Sequence, residues 1–454
     1  MKLFPLLPAL MLMGGAFSVS ADNPMPPAGD LRLYDIIEAV SPQRIEQDVR
    51  RLAGFGTRNT LSDTQSDTRG IGAARRWIKA EFERIGQQCD GCLEVSFLSD
   101  IVKAGENKRI PVDTEIVNVV AIQRGTKSPN AYFILSGDID SRASDVNDAE
   151  TDAPGANDNA TGMSAALEAA RVLTRYQFPF SIAYVGLSGE EQGLFGGKIL
   201  AEHALKNHWD IVGLLNNDMI GNIEGIDGVI DNRSFRIFSE PTPVTETDEA
   251  RRMRRYTGGE VDGASRQLAR AVHRLTQTYM PEMNPLLIYR LDRFGRGGHH
   301  RPFNDAGFSA IRIMEAHENY NRQHQDIRVE NGIAYGDVVE GVNFNYAAKL
   351  TAVNAITLAS LAWAPPAPQN VRIGGAVAPS TTLQWDVSDD DNLAGYKVVW
   401  RDTTAPQWQH SRFVGKVDRY TLQNIVIDNF LFGVVAVAKN GNESVVSFPL
   451  DRIR

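Results

Sequence analysis

The chain has 454 residues, 43% hydrophobic and 23% charged, which excludes a disordered or collagen-like polymer and fits about two to four domains. Its 56 Asp and Glu against 47 Lys and Arg give a net charge of -9, which argues against nucleic acid as the main partner. Two cysteines cannot build a cysteine-based zinc cluster, so any metal must be held by Asp, Glu and His.

In chain order, Lys2 and the apolar run Leu3 to Phe17, ending in Val19-Ser20-Ala21, read as a secretory signal peptide over residues 1–21, cleaved after Ala21. The run is too short and too interrupted for a bilayer span, and no later stretch is long enough. The mature chain is therefore expected to be exported, periplasmic or extracellular, with no membrane span. In those oxidising surroundings Cys89 and Cys92 are expected to form a local structural disulfide.

Residues 22–363 read as α/β. Helical spacing is expected over Arg44 to Leu52, Gly72 to Ile85, Thr161 to Tyr176 and Leu194 to His208. Compact apolar strands are expected at Ile116 to Ile122, Ala131 to Leu135, Ser181 to Leu187 and Ile211 to Leu215. Alternating strands and helices imply a mostly parallel mixed sheet covered by helices on both faces, with ligands beyond the strands' carboxyl ends. Residues 364–368, Ala-Pro-Pro-Ala-Pro, read as a semi-rigid linker. Residues 369–454 carry short alternating runs at Thr381 to Trp385, Gly395 to Arg401 and Leu431 to Lys439, the pattern of an all-β sandwich. The order Pro368-x-x-Val371, Leu383-Gln384-Trp385, Tyr396 to Trp400 and Phe432 to Ala438 resembles a fibronectin type III domain, with Trp385 expected in its core.

Polar clusters follow the strands of the α/β segment. These are Gly137-Asp138-Ile139-Asp140, Pro154-Gly155-Ala156-Asn157-Asp158, Ser188-Gly189-Glu190-Glu191, Asn216-Asn217-Asp218 and Gly297-Gly298-His299-His300-Arg301-Pro302-Phe303. Carboxylates gathered at one sheet edge repel unless cations hold them, so the set predicts a metal site, of the kind that serves two-metal hydrolysis. Adjacent Glu190 and Glu191 cannot point the same way on regular backbone. One is free to bind metal while the other faces a water as general base.

From about Leu52 to Asp326 these motifs, in this order, resemble the M28 family of secreted zinc aminopeptidases. The resemblance implies a zinc-exopeptidase-like fold, two Zn²⁺ ions, and peptide or protein substrates with a free N-terminus. It implies Asp158 as bridging ligand, Asp218 completing the first site, Glu191 and His300 completing the second, Glu190 as general base, and Asp140 orienting a ligand. Two departures stand out. Asp138 occupies the first-site ligand position where the family has histidine, so that this site is expected to bind zinc weakly or to take another divalent ion. His299 occupies the place of an aspartate. It reads either as a loop residue, since neighbouring side chains diverge, or as half of a reciprocal exchange, reaching the first metal or pairing with Asp138. His317 and His324 read as hydrogen-bonded loop residues. Arg293 and Arg296 read as partners of a substrate carboxylate or as counter-charges to the acidic rim, while the acidic pocket is expected to disfavour a carboxylate nearby. The function so implied is an exported metal-dependent exopeptidase, an aminopeptidase using a metal-activated water. The alternatives are a single-zinc glutaminyl-cyclase-like enzyme, or a secreted binding protein with a decayed site. The C-terminal segment offers a possible contact with a polymer or surface.

Overall fold

A computed structural model describes residues 24–453, so the expected signal peptide lies outside the described residues. An eight-stranded mixed sheet forms the centre. Its strands are β1 (Leu93–Val102), β2 (Thr114–Gln123), β3 (Ser128–Asp138), β4 (Phe180–Leu187), β5 (Asp210–Asn217), β6 (Ser234–Ser239), β7 (Asn284–Ile288) and β8 (Ala310–Glu315). They lie in the order β1-β2-β4-β3-β5-β8-β6-β7. The central run β4-β3-β5-β8 is parallel; β1–β2, β2–β4 and β6–β8 pair antiparallel, and edge strand β7 pairs parallel with β6. Every residue of β4 and β8 is buried, as expected of strands covered on both faces.

The helices are α1 (Arg32–Ala39), α2 (Pro42–Ala53), α3 (Gly70–Gln88), α4 (Gly162–Leu173), α5 (Glu190–Gly193), α6 (Phe195–Lys206), α7 (Asp248–Thr257), α8 (Ala264–Tyr279), α9 (His300–Asp305) and α10 (Phe344–Trp363). α2 starts where Ser41 caps Arg44 N–H through its hydroxyl at 3.3 Å, with Pro42 in the first turn. Side chains of α2, α3, α4, α8 and α10 fill one face of the sheet; α6 and α9 cover the other. Among the described residues, no helix is long and apolar enough to cross a membrane. Cys89 and Cys92 are disulfide-bonded, closing a very short loop after α3.

A two-stranded ribbon, β9 (Arg328–Glu330) and β10 (Ile333–Tyr335), precedes α10. After the proline-rich stretch come β11 (Arg372–Gly374), β12 (Thr381–Gln384), β13 (Leu393–Asp402), β14 (His410–Gly415), β15 (Arg419–Leu422), β16 (Phe430–Ala438) and β17 (Asp451–Arg452). They form sheets β15-β12-β11-β17 and β14-β13-β16. Trp385, Tyr396, Trp400, Leu383, Val434 and Phe432 from both sheets share one core, with Trp385 2% exposed.

This β unit packs on the α/β unit through buried polar contacts. Asp262, before α8, sits 2.8 Å from Arg270 Nη1 and 2.7 Å from Arg401 Nη2 of β13. All three side chains are buried. Asn442 donates to Asp30 at 2.7 Å and accepts from Ser360 of α10 at 2.8 Å. Removing one member of a buried ion triad strands the remaining charge. Asp262→Ala is therefore expected to cost about 3–5 kcal/mol. An unchanged denaturation midpoint in urea would show that the triad does not hold the two units together.

Candidate metal centre

The parallel register sets the site. Asp138 ends β3 opposite Leu187 of β4, and Gly137 lies opposite Asn217 of β5. The three strands thus finish level, and Asp138 at the end of β3, with Glu190 and Asp218 just beyond β4 and β5, gather at one edge. Asp158 comes from the loop before α4. Gly155 in that loop has φ +51°, and a Cβ there would lie 2.4 Å from both Asp158 O and Ser141 Cβ, so only glycine lets the loop close. The loop is held from outside by Asp337, whose carboxylate accepts from Asn157 N–H at 2.8 Å and Asp158 N–H at 2.7 Å. Beneath it, buried Arg58 donates to Ile139 O at 2.8 Å and Gly155 O at 2.9 Å. The Asp158–Asn159 and Asp218–Met219 peptide bonds are cis.

Asp140 orients the glutamate pair. Its carboxylate accepts from Glu190 N–H at 3.2 Å and Glu191 N–H at 3.1 Å, at the start of α5, and from Thr60 Oγ1 at 3.0 Å. Asp140 thus acts on the backbone of α5, with burial pushing its own carboxyl up to about 7.

Asp158, Glu191 and His324 converge, with one ligand atom from each within 4.8 Å of the others. His324 Nε2 lies 3.1 Å from both Asp158 Oδ2 and Glu191 Oε1. Burial opposes charging of the imidazole, but Glu191 and Asp158 outweigh it and raise His324 to about 10. Burial likewise works against the Asp158 carboxylate; the hydrogen bond and charge of His324, with Gln323, more than offset it and hold Asp158 below the usual range. His324, expected as a hydrogen-bonded loop residue, finds its partners in the carboxylate cluster itself and so stands where it could also serve as a ligand. His317 fits its expectation: it is partly exposed, 3.8 Å from Asp231.

The structure does not bring His300 to this cluster. Its N–H donates to Asn216 Oδ1 at 3.1 Å and its Nε2 to Leu291 O at 2.8 Å, and Asp292 lies 3.5 Å away. The residue opens α9 and turns back toward the end of β7. The imidazole at the carboxylates is supplied by His324.

Asp138 and His299 form a pair. His299 Nδ1 is 2.6 Å from Asp138 Oδ1, with both side chains buried, and Asn159 Nδ2 donates to Asp138 Oδ2 at 2.7 Å. His299 is thus not a free loop residue: the pairing branch of the reciprocal exchange is the one the structure contains. Its Nε2 has no partner among the described residues. Burial first, then neighbouring carboxylates, push Asp138 and Asp218 above the ordinary range, with Arg312 pulling the other way.

Arg312 on β8 escaped the sequence reading. Its Nη2 lies 3.0 Å from Asp218 Oδ2 and its Nε donates to Asp218 O at 2.6 Å. Its Nη1 reaches Asp292 and Gly297 O. An arginine in the middle of the apolar run Ala310-Ile311-Arg312-Ile313-Met314 was the available signal. Glu190 lines the open cleft of about 560 Å³ together with Asp158, Glu191, Asp218 and His324. Burial and the charge of Glu191 push it well above the usual carboxylate range.

The chain is similar to known proteins in sequence and in fold. A probable zinc metalloprotease of Pyrenophora teres f. teres is 41% identical over 429 residues, covering 94% of this chain and 88% of that protein. One from Leptosphaeria maculans is 41% identical over 424 residues, covering 93% of this chain and 98% of that protein. The crystal structure of the Legionella pneumophila LapA aminopeptidase shares the fold with a TM-score of 0.54, at 17% identity over 81% of each chain. Peptidase family M28 matches residues 118–336, the span from β2 through the carboxylate cluster to β10. With relatives this similar over nearly its whole length, the chain belongs to peptidase family M28.

Proposed function

We propose that this chain is an exported zinc-dependent exopeptidase, an aminopeptidase that releases N-terminal residues from peptides. The observation that carries this reading is the convergence of Asp158, Glu191 and His324 in the same open cleft as Glu190 and Asp218. One imidazole with two carboxylates is a donor set that suits zinc. The crowding of buried carboxylates fits the same conclusion, since like charges so placed need a cation. Asp158, Glu191 and His324 would hold one ion, and Asp138, Asp158 and Asp218 a second. His324 would shed its proton as the ion binds. Bound zinc supplies Lewis acidity, easing the ionisation of water and polarising the scissile carbonyl.

The chain's own residues do the remainder. Glu190, pushed upward by burial and Glu191, takes a proton from the attacking water as the water oxygen bonds to the carbonyl carbon. As the C–N bond breaks, Glu190 returns that proton to the departing nitrogen. Asp140 fixes the backbone of both glutamates, and Arg312 fixes Asp218. The substrate's ammonium group is drawn to the acidic floor. Export rests on the leader sequence, and the Cys89–Cys92 disulfide agrees with an oxidising compartment. The β unit is read as a fibronectin type III-like domain beginning after the 364–368 linker.

A second reading has one observation in its favour. Among the described residues a single His-and-carboxylate trio converges, while Asp138 is engaged by His299. A one-ion, glutaminyl-cyclase-like enzyme would need only that trio. Elemental analysis separates the two. Two equivalents of metal per chain and release of free amino acids from unblocked peptides, stopped by N-acetylation, support the aminopeptidase. One equivalent and ammonia release from N-terminal glutamine peptides support the cyclase.

Glu190→Gln is expected to abolish turnover while bound zinc is retained. Retained activity would remove Glu190 from the role of base. His324→Ala is expected to lower zinc content by at least one equivalent, whereas His300→Ala should leave the zinc at that trio in place. Equal losses in both variants, read by elemental analysis, would return His300 to the ligand set.

A further inference from the structure

We infer that the cleft selects substrates carrying a carboxylate close to the bond that is cut. This rests on the peptidase reading and names its substrate class. The cleft has two electrical zones. Its floor is the carboxylate cluster; its walls carry Arg109, Arg142, Lys198, Arg293, Arg296 and Arg301. Arg293 is engaged by Glu318 at 3.3 Å and Asp292 at 3.4 Å. Arg142 is held by Ala143 O and Ser144 O and lies 3.9 Å from Glu191. Arg109 donates to Glu191 O at 2.5 Å, which fixes its guanidinium at the edge of the cluster. None of Arg109, Lys198, Arg296 and Arg301 has a carboxylate within 4.0 Å among the described residues, although exposed Asp305 also lines the cleft. Arg301 Nε is buried without a hydrogen-bond partner.

These cations are not needed to neutralise the floor once metal occupies it. Divalent ions offset the floor carboxylates, and the wall charges are then in excess. Exposed cations in a concave site attract an anion, and guanidinium groups bind carboxylate in two-point fashion. An ammonium group at the floor and a carboxylate at the wall complement both zones. The expected repulsion of carboxylates therefore applies to the floor alone. The carboxylate has two sources: an acidic side chain beside the cleaved bond, or the α-carboxylate of a di- or tripeptide.

The test uses the zinc-loaded full chain with Leu-Ala, Leu-Ala-amide, Leu-Glu-amide and Leu-Lys-amide. A carboxylate-bearing substrate is expected to exceed Leu-Ala-amide in kcat/KM by about tenfold at low salt, with Leu-Lys-amide lowest. A lead for Leu-Glu-amide identifies the side chain as the source; a lead for Leu-Ala alone identifies the terminus. Lys198→Glu and Arg296→Glu, or the Gln variants should the reversals fail to fold, are expected to erase the preference, as is high salt. Equal kcat/KM across the four peptides, or a preference untouched by these substitutions, overturns the inference. If none of the four is cut, the exopeptidase reading fails. Calorimetric binding of Leu-Glu-amide against Leu-Lys-amide to the same protein then judges the wall charges alone, and equal affinities overturn the inference.

Discussion

Mutual repulsion among the buried carboxylates at the level ends of β3, β4 and β5 is the constraint on which the rest of the site depends. Asp138, Asp158, Glu190, Glu191 and Asp218 share a small, desolvated volume in which each ionised group disfavours the next. The protein answers with fixed cations from three directions. Arg312 enters from the neighbouring strand β8, His324 from the loop before β9, and Arg293 from the loop after β7. None of these removes the excess, because Asp138, Glu190 and Asp218 are still pushed upward. The cluster persists because the folded frame imposes it: strand register fixes three of the five positions.

That frame is built with buried polar groups rather than apolar packing alone. Asp337 holds the Asp158 loop by two backbone N–H groups, Arg58 ties it to the backbone after β3, and Asp140 caps α5. Arg58 and Asp140 are buried and Asp337 is partly so, and the cost of leaving such groups unpaired locks the conformations that aim the ligating side chains. Asp140 orients the glutamate pair through their backbone N–H groups.

The sequence made most of the α/β frame legible because its central strands are short apolar runs between helical periodicities. Asp158, Glu190, Glu191 and Asp218 were legible because each lies within a few residues of a strand or helix end. The failures share one physical cause. His324 comes from an irregular loop, where nothing in local spacing says which way a side chain faces. His300 sits in a motif that looks like a ligand position, yet it opens α9 and turns to Leu291. The Asp138–His299 pair is a contact between distant segments, and only the closed fold decides between pairing and exposure. Strands β6 and β8 were missed because Arg236 and Arg312 interrupt their apolar pattern, and those charges are there to serve contacts made across the sheet; β7 is a five-residue strand with only three consecutive apolar side chains after Pro285.

The β unit is part of this mechanical chain. Tyr289, directly after β7, donates its hydroxyl to Pro406 O, and Arg270 reaches the same carbonyl at 2.8 Å. The Arg266 guanidinium stacks 4.1 Å over the Tyr289 ring. Three residues further on, Asp292 meets Arg312, which holds Asp218, and Arg293 meets Glu318. The segment that leads from the β unit to the cleft wall is therefore pinned at its start by the β unit and at its middle by the site. A rigid start matters because the segment from 289 to 296 has no regular structure of its own to fix it. Its end carries Arg296 at the cleft wall, so the packing of the β unit bears on how the cleft presents its charge, without a residue of that unit entering the cleft.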